Sequence, residues 1–512
     1  MYLYIWSLRI LETAIDRPAG MFDREFEWSE LVRFATYDAP GPTLGIVSGR
    51  RRQGKTYLLD ALVRAAGGLM FTATEAAAPE SLREFGAALA GFRGEPVPYR
   101  FANWDEALSQ LLAGASGSAP TVVVLDEFPY LVRQAPELPS LIQRQLDPGA
   151  RRSGAQVRLL LCGSALSLMG KLLSGNAPLR GRAALELVVP TFDFRLAARF
   201  WGIPDPRTAV LTNAVVGGTP AYRREFSQDD APAGPDDFDP WLVRTVLNPA
   251  RPLFREARYL LATEPDLRDT ALYHSVLAAI AEGNATRGGI ASYLARRSTD
   301  LAHPLGVLED AGLISREADL LRGNRSAYRI AEPMVTFYHA VMRPAWGDLE
   351  RPGRAADIWR RLRQTFVSKV VGPHFERLCR DWARWYAAPE TFGGYPATVG
   401  SGTINDRSGR ALIEIDVAVL AQGEAGQAQG QAGRPEVLCL GEAKWNTVLT
   451  PGHLERLTRA RDLLRDHPSA RAGDRTRLAL FSGAGFSDEL RRLAARSPEI
   501  VLVDLERLYR RE

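Results

Sequence analysis

Eight residues constrain this chain more than any others: Gly49-Arg50-Arg51-Arg52-Gln53-Gly54-Lys55-Thr56. They follow the apolar run TLGIVS and open KTYLLDALVRAA, whose apolar residues recur at helical spacing. A GxxxxGKT run between a strand and a helix lets backbone N–H groups wrap a phosphate, and the helix N-terminus adds a favourable dipole. In that arrangement Gly49, Arg52, Gln53 and Gly54 build the cradle, Lys55 reaches the outer phosphate oxygens, and the Thr56 hydroxyl ligates Mg2+. The competing reading is a chance glycine turn, and the strand and helix on either side argue against it.

Three further segments bear on that loop. Thr121–Glu127, TVVVLDE, is an apolar strand ending in two acids. Carboxylates at the C-terminal edge of a buried parallel strand point where ligands bind. Asp126 is expected to hold Mg2+ and Glu127 to polarise an attacking water. VRLLLCGS ends in Ser164, which either senses the terminal phosphate or caps the next helix. Arg182, in LRGR, either contacts phosphate or is a solvated side chain of an arginine-rich chain. TLGIVSG, LMFTAT, TVVVLDE and VRLLLCGS alternate with helical stretches, so the expected class is α/β with a parallel sheet covered on both faces.

MFDREFEWSEL, GRRRQGKTYLL, VVVLDEFPYL, LLCGSALSLM, APLRGR and GGTPAY occur in that order. Together they resemble the archaeal-type P-loop ATPase family, relatives of the AAA+ and STAND ATPases that carry a winged helix and a C-terminal domain of unknown function 234. The resemblance covers about residues 21–512. It implies ATP and Mg2+ as ligands, a helical lid and a nucleotide-driven switch. Arg180 stands where relatives commonly have an aromatic, and Ala165 where a second serine is common; both departures touch the sensor roles only.

At 512 residues the chain is long enough for about three domains. Composition is ordinary for a soluble protein, at 46% hydrophobic and 24% charged residues, which excludes disordered, collagenous and disulfide-scaffold classes. Cys162, Cys379 and Cys439 sit in apolar runs and read as reduced core residues of a cytoplasmic protein. No apolar stretch reaches the roughly 18–20 residues of a membrane span. Four lysines stand against 60 arginines, and two of the four, Lys55 and Lys444, fall in chemical motifs. Residues 351–512 hold 26 Lys and Arg against 20 Asp and Glu, compatible with a polyanionic partner such as DNA. The expected divisions are an N-terminal extension at 1–20, an ATPase core at 21–200, a helical lid at 201–265, a winged helix at 269–335 and a mixed α/β domain at 356–512. Within the last, AQGEAGQAQGQAGRP (421–435) is low-complexity and reads as a solvated loop.

The winged helix-turn-helix rests on helical patterns at Leu272–Glu282, Thr286–Leu294 and Asp300–Ala311, then LISREADLL and SAYRIAEP around the turn Arg322-Gly323-Asn324. Either the third helix enters a DNA major groove or the module is a structural connector. Seven basic and seven acidic residues over 269–330 make a poor electrostatic footprint for DNA.

In the C-terminal domain, ALIEIDVAVL carries Asp416 and VLCLGEAKW carries Glu442 and Lys444 on the next strand. Alternation places Glu442 and Lys444 on one face. Asp416 and Glu442 have the oxygen ligands that suit a divalent metal, Glu376 could add a third carboxylate, and Lys444 could orient or deprotonate a water and stabilise developing charge. This set resembles the PD-(D/E)xK nuclease superfamily, particularly its Mrr-like and Holliday-junction-resolvase-like members, and implies a restriction-endonuclease-like fold. The plainer reading is a salt-bridged pair on a solvated face.

These readings combine into an Mg2+-dependent ATPase acting on DNA, its nucleotide state coupled to a metal-dependent nuclease-like domain. The alternatives are a nucleotide-controlled DNA- or protein-binding switch that keeps an inactive nuclease-like fold, and an oligomerising scaffold in which the arginines after the Gly-Ser strand end act across copies.

Overall fold

A computed structural model describes residues 15–38, 41–113, 120–147, 156–262, 269–323, 325–406, 408–421, 434–465 and 467–510. The first 14 residues, Asn324 of the hairpin turn and residues 422–433 of the low-complexity segment lie outside them. The chain divides into two compact units, Met1–Pro190 and Thr191–Glu512.

The first unit is built on a five-stranded sheet in the order β2-β3-β4-β1-β5, with β1 Thr43–Ser48, β2 Leu69–Thr72, β3 Thr121–Asp126, β4 Val157–Gly163 and β5 Ala183–Val188. Every pairing is parallel. The strands β1, β3 and β4 are buried on both faces, and alternate residues serve different cores. Val123, Leu125, Leu159 and Leu161 join Phe71, Phe85 and Trp104 on one side. Val122, Val124, Leu160 and Cys162 join Leu31, Phe34, Leu58 and Leu62 on the other, where the helices Glu25–Thr36 and Lys55–Ala66 lie. Sequence reading missed β5. It lies at the sheet edge with half of its residues exposed, and Glu186 interrupts the apolar run of AALELV.

This is a parallel α/β sheet with helices on both faces. Strand order places β1 between β4 and β5, with β3 beyond β4. The C-terminal ends of β1, β3 and β4 therefore lie side by side, and those ends carry Gly49, Asp126 and Gly163-Ser164.

The second unit opens with the helices Phe194–Trp201, Pro206–Val216, Phe238–Arg244 and Pro252–Ala262. Three helical segments and a hairpin follow. The helix Thr270–Ala281 is capped by Asp269, and Arg287–Tyr293 by the Thr286 hydroxyl, which accepts from the Gly289 N–H at 3.1 Å. The third segment differs from the single helix expected over 300–311. A 3-10 turn at Ser298–Leu301 leads into Ala302–Asp310, which places Pro304 in the first helical turn, where its missing N–H costs nothing. The hairpin pairs β6 Ile314–Ala318 with β7 Ser326–Ile330.

A long helical run from Ala355 to Trp385, loosened to π geometry at Val367–Val371, precedes the second large sheet. That sheet has the order β12-β11-β10-β9-β8, with β8 Thr398–Asp406, β9 Ala411–Leu420, β10 Val437–Lys444, β11 Arg477–Ser482 and β12 Ile500–Asp504. β8, β9 and β10 are antiparallel; β10, β11 and β12 are parallel. Among the described residues no helix is long and apolar enough to cross a membrane.

Candidate phosphate site and a second carboxylate site

The loop between β1 and the helix Lys55–Ala66 owes its shape to backbone that L side chains resist. Gly49 has φ +150°, and a Cβ there would sit 2.5 Å from the Val189 carbonyl oxygen. Gly54 caps the helix at φ +87°, and Arg52 holds φ +71° without being glycine, a conformation that costs energy and clusters at functional loops. Lys55 is buried and donates to the carbonyls of Gly49 at 2.7 Å and Arg50 at 2.8 Å, closing the loop on itself. Burial lowers its pKa, while Cys162, Glu127 and Asp126 oppose that shift. The lysine thus sits among acids that hold its charge at the mouth of a ring of main chain.

The two residues expected to hold Mg2+ meet. Thr56 donates its hydroxyl to Asp126 Oδ2 at 2.9 Å, bridging residues 70 apart. Asp126 is buried, and its other oxygen accepts the Glu127 N–H at 2.9 Å. A hydroxyl and a carboxylate in this contact are the hard oxygen donors Mg2+ prefers, so the residues fit the ion. Cys162 lies beneath them; burial and then Asp126 push its thiol far above the ordinary range, so it stays neutral.

Glu127 follows at φ +50°, a left-handed conformation at a non-glycine residue heading the helix Phe128–Gln134. Ser164 donates to its carboxylate at 3.2 Å. The helix-cap alternative for Ser164 is not what forms: Ala165 occupies that position, without a side-chain cap. Ser164 instead orients Glu127. Arg182 pairs with Asp147, and Arg180 donates to the Gly175 carbonyl at 2.7 Å.

Arg24 is a contributor that sequence reading passed over. It is buried at φ +71° ahead of the first helix, pairs with Glu27 at 2.7 Å, and donates to the carbonyls of Pro190 at 2.7 Å and Gln53 at 3.3 Å. The guanidinium ties the N-terminal segment to the loop's own backbone. The signal was the Arg24–Glu27 spacing in FDREFEW, obscured by 60 arginines.

The second constellation lies in the other unit. Asp416 on β9 and Glu442 and Lys444 on β10 come together across the antiparallel pair, whose register matches Val417 with Gly441. Lys444 Nζ lies 3.4 Å from Asp416 Oδ2 and 3.5 Å from Glu442 Oε1. Asp416 also accepts the Ala443 N–H at 2.9 Å. Burial works to lower the Lys444 pKa, but Asp416, Glu442 and Glu376 outweigh it and raise the value. The ammonium therefore sits within reach of both carboxylates, at the edge of the acid pair.

Glu442 is buried to 2% exposure, and its Oε2 has no hydrogen-bond partner. An orphaned carboxylate oxygen beside a second carboxylate is a site where a divalent cation fits. Glu376, on the helix Gly372–Trp385, is pushed up to about 7 by burial and then by Asp416. Among the described residues no group of three His, Cys, Asp or Glu is gathered tightly enough to share an ion, so Glu376 stands beside the acid pair. Arg456, from the helix Pro451–Leu463, reaches Glu442 at 3.4 Å and the Glu414 carbonyl at 3.1 Å. Sequence reading did not single it out.

No family model matches the chain. Over 310 residues it is 25% identical to an uncharacterized protein, MJECL04, of Methanocaldococcus jannaschii, across 60% of this chain. The chain spans only 65% of that curated relative's length. Among solved structures, it is similar to the Walker-type ATPase paby2304 of Pyrococcus abyssi, at 21% identity and a TM-score of 0.47, covering 63% of this chain and 97% of that one. It is also similar to the ORC2 protein of Aeropyrum pernix, at 16% identity and a TM-score of 0.41, covering 69% and 98%.

Proposed function

We propose that the chain is an Mg2+-dependent ATPase that acts on DNA and carries, in its C-terminal domain, a metal-dependent phosphodiesterase site. The observation that carries the first part is the Thr56–Asp126 contact beneath a loop of unusual backbone geometry, with Lys55 at its mouth. ATP phosphates would take over the lysine from the Gly49 and Arg50 carbonyls. Thr56 and Asp126 would hold Mg2+, which supplies neutralisation of the phosphate charge. Glu127, aimed by Ser164, would orient a water in line with the terminal phosphate. Loss of ATP binding in Lys55→Ala is expected, and unchanged binding would refute the assignment.

For the second part, Asp416 and Glu442 would hold a divalent ion, with Lys444 stabilising the charge that develops on a phosphodiester. Glu376 would tune the pair electrostatically. In this reading residues 21–200 form the ATPase core, 201–265 a lid, 269–335 a winged helix and 356–512 a PD-(D/E)xK-like domain. The test is cleavage of single-stranded, duplex and branched DNA with Mg2+ or Mn2+, with and without ATP, beside Asp416→Asn. Metal-dependent cleavage lost in the variant supports the reading. No cleavage by the wild-type chain would favour the alternative, a nucleotide-controlled binding switch. The absence of a third clustered ligand among the described residues is what speaks for that alternative.

A further inference from the structure

We propose that Arg380 is a positioning residue for the C-terminal site, and that the hairpin β6–β7 braces the strand carrying Asp416; this rests on the phosphodiesterase reading of that site. Asp416 lies where the sheet ladder lapses on both sides. Pairing with β10 runs from Leu420 only as far as Val417, and pairing with β8 jumps from Gly400↔Ala418 to Gly402↔Ile415. Main-chain groups at such a break need partners from elsewhere.

Both partners come from outside the sheet. Arg380, buried on the helix Gly372–Trp385, donates to the Asp416 carbonyl at 3.0 Å. The hairpin tip answers on the β8 side: the Leu320 N–H donates to the carbonyl of Ser401, the residue at the jump, at 3.0 Å. Asp319 accepts the Thr403 hydroxyl at 2.6 Å and the Thr403 N–H at 3.2 Å.

The strand is shaped to receive the tip. A Cβ at Gly400 would lie 2.9 Å from Leu320, and one at Gly402 would lie 2.6 Å from Leu321. Leu321 is fully buried in the core of the C-terminal sheet. The same hairpin steers Arg380. Glu317 on β6 accepts Arg329 of β7 at 2.8 Å and faces Arg380 Nη2 at 3.9 Å. The links thus run from hairpin to Glu317, to Arg380, to the backbone of Asp416, whose side chain touches Lys444. A hairpin whose residues Glu317 and Asp319 to Leu321 are spent in this way is a brace for the carboxylate site.

The test uses the full chain and hydrogen exchange over residues 412–420 and 440–446, with β11 at 477–482 as internal reference. Arg380→Gln is expected to speed exchange in the first two segments by about tenfold and to leave the reference unchanged. Arg380→Lys, which keeps a donor, stays within about threefold of wild type, and Glu317→Gln falls between them. In DNA cleavage, Arg380→Gln lowers kcat about tenfold and leaves KM within about twofold, since the guanidinium faces backbone and not substrate. Unchanged exchange, a rise shared equally by 477–482, or faster exchange with an unchanged kcat would each overturn the proposal. A wild-type chain that cuts no DNA would count against the phosphodiesterase reading, and the exchange comparison would still decide the brace.

Discussion

At residues 49–56 the groups of the proposed phosphate site are largely main chain, held by three positive φ angles and one lysine. At 416 and 442–444 they are all side chains, gathered from two strands and balanced by cations from elsewhere. The first arrangement is local. Eight consecutive residues dictate most of it, and Arg24, Asp126, Glu127 and Ser164 arrive from a distance. The second is non-local: the Asp416 carbonyl accepts from the Arg380 guanidinium on one helix, and Glu442 is reached by Arg456 from another. A local site tolerates change outside itself and fails when its own backbone changes. A non-local site should answer to substitutions far along the chain.

That contrast can be broken by mutation. The largest effect is expected from Gly49→Val, which combines φ +150° with a Cβ 2.5 Å from the Val189 carbonyl. It should cost about 2–4 kcal/mol of stability and abolish ATP binding, read by thermal melts and nucleotide titration. ATP binding at wild-type affinity would show that the loop does not depend on this backbone. Next, Lys444→Ala should lower DNA cleavage about 100-fold and leave ATP affinity unaltered, since the ammonium holds no main chain in place. A parallel loss of ATP binding would contradict the separation of the two sites.

Arg456→Ala should reduce cleavage by about three- to tenfold, because it touches Glu442 from a partly exposed position. No change would remove Arg456 from the site. The smallest effect concerns stability. His339 is buried with neither ring nitrogen hydrogen-bonded, and burial, then His274, then Arg343 hold its pKa well below 6.5. A histidine kept neutral in the fold contributes stability above its unfolded pKa and loses it as pH falls through the window below 6.5. Urea midpoints of the wild type should therefore fall below that pH, by up to about 1.4 kcal/mol per unit for this group. His339→Leu should flatten the slope; an unchanged slope would place the titration elsewhere.

How legible each region was follows from the same contrast. β1, β3 and β4 are apolar runs buried on both faces, and such runs announce themselves; β5, a partly exposed edge strand, and the glycine-rich β8 do not. The phosphate loop was legible because its chemistry lies in spacing. Asp416, Glu442 and Lys444 were legible as residues, since β alternation puts acids and lysine on one face. Their supporting cations were not. Arg24, Arg380 and Arg456 differ from the other arginines only by what they touch in three dimensions. The hairpin's role was equally hidden, because strand periodicity reveals a hairpin but not what its tip rests on.

Glu127 is expected to act in hydrolysis and not in binding, so the most direct measurement is ATP affinity and turnover of Glu127→Gln beside wild type with Mg2+. The Glu127 carboxylate is held by Ser164 and takes no part in the Thr56–Asp126 hydrogen bond. The expected result is affinity within about threefold of wild type and turnover reduced at least about 100-fold. Wild-type turnover in the variant, or a loss of affinity as large as the loss of turnover, would contradict it.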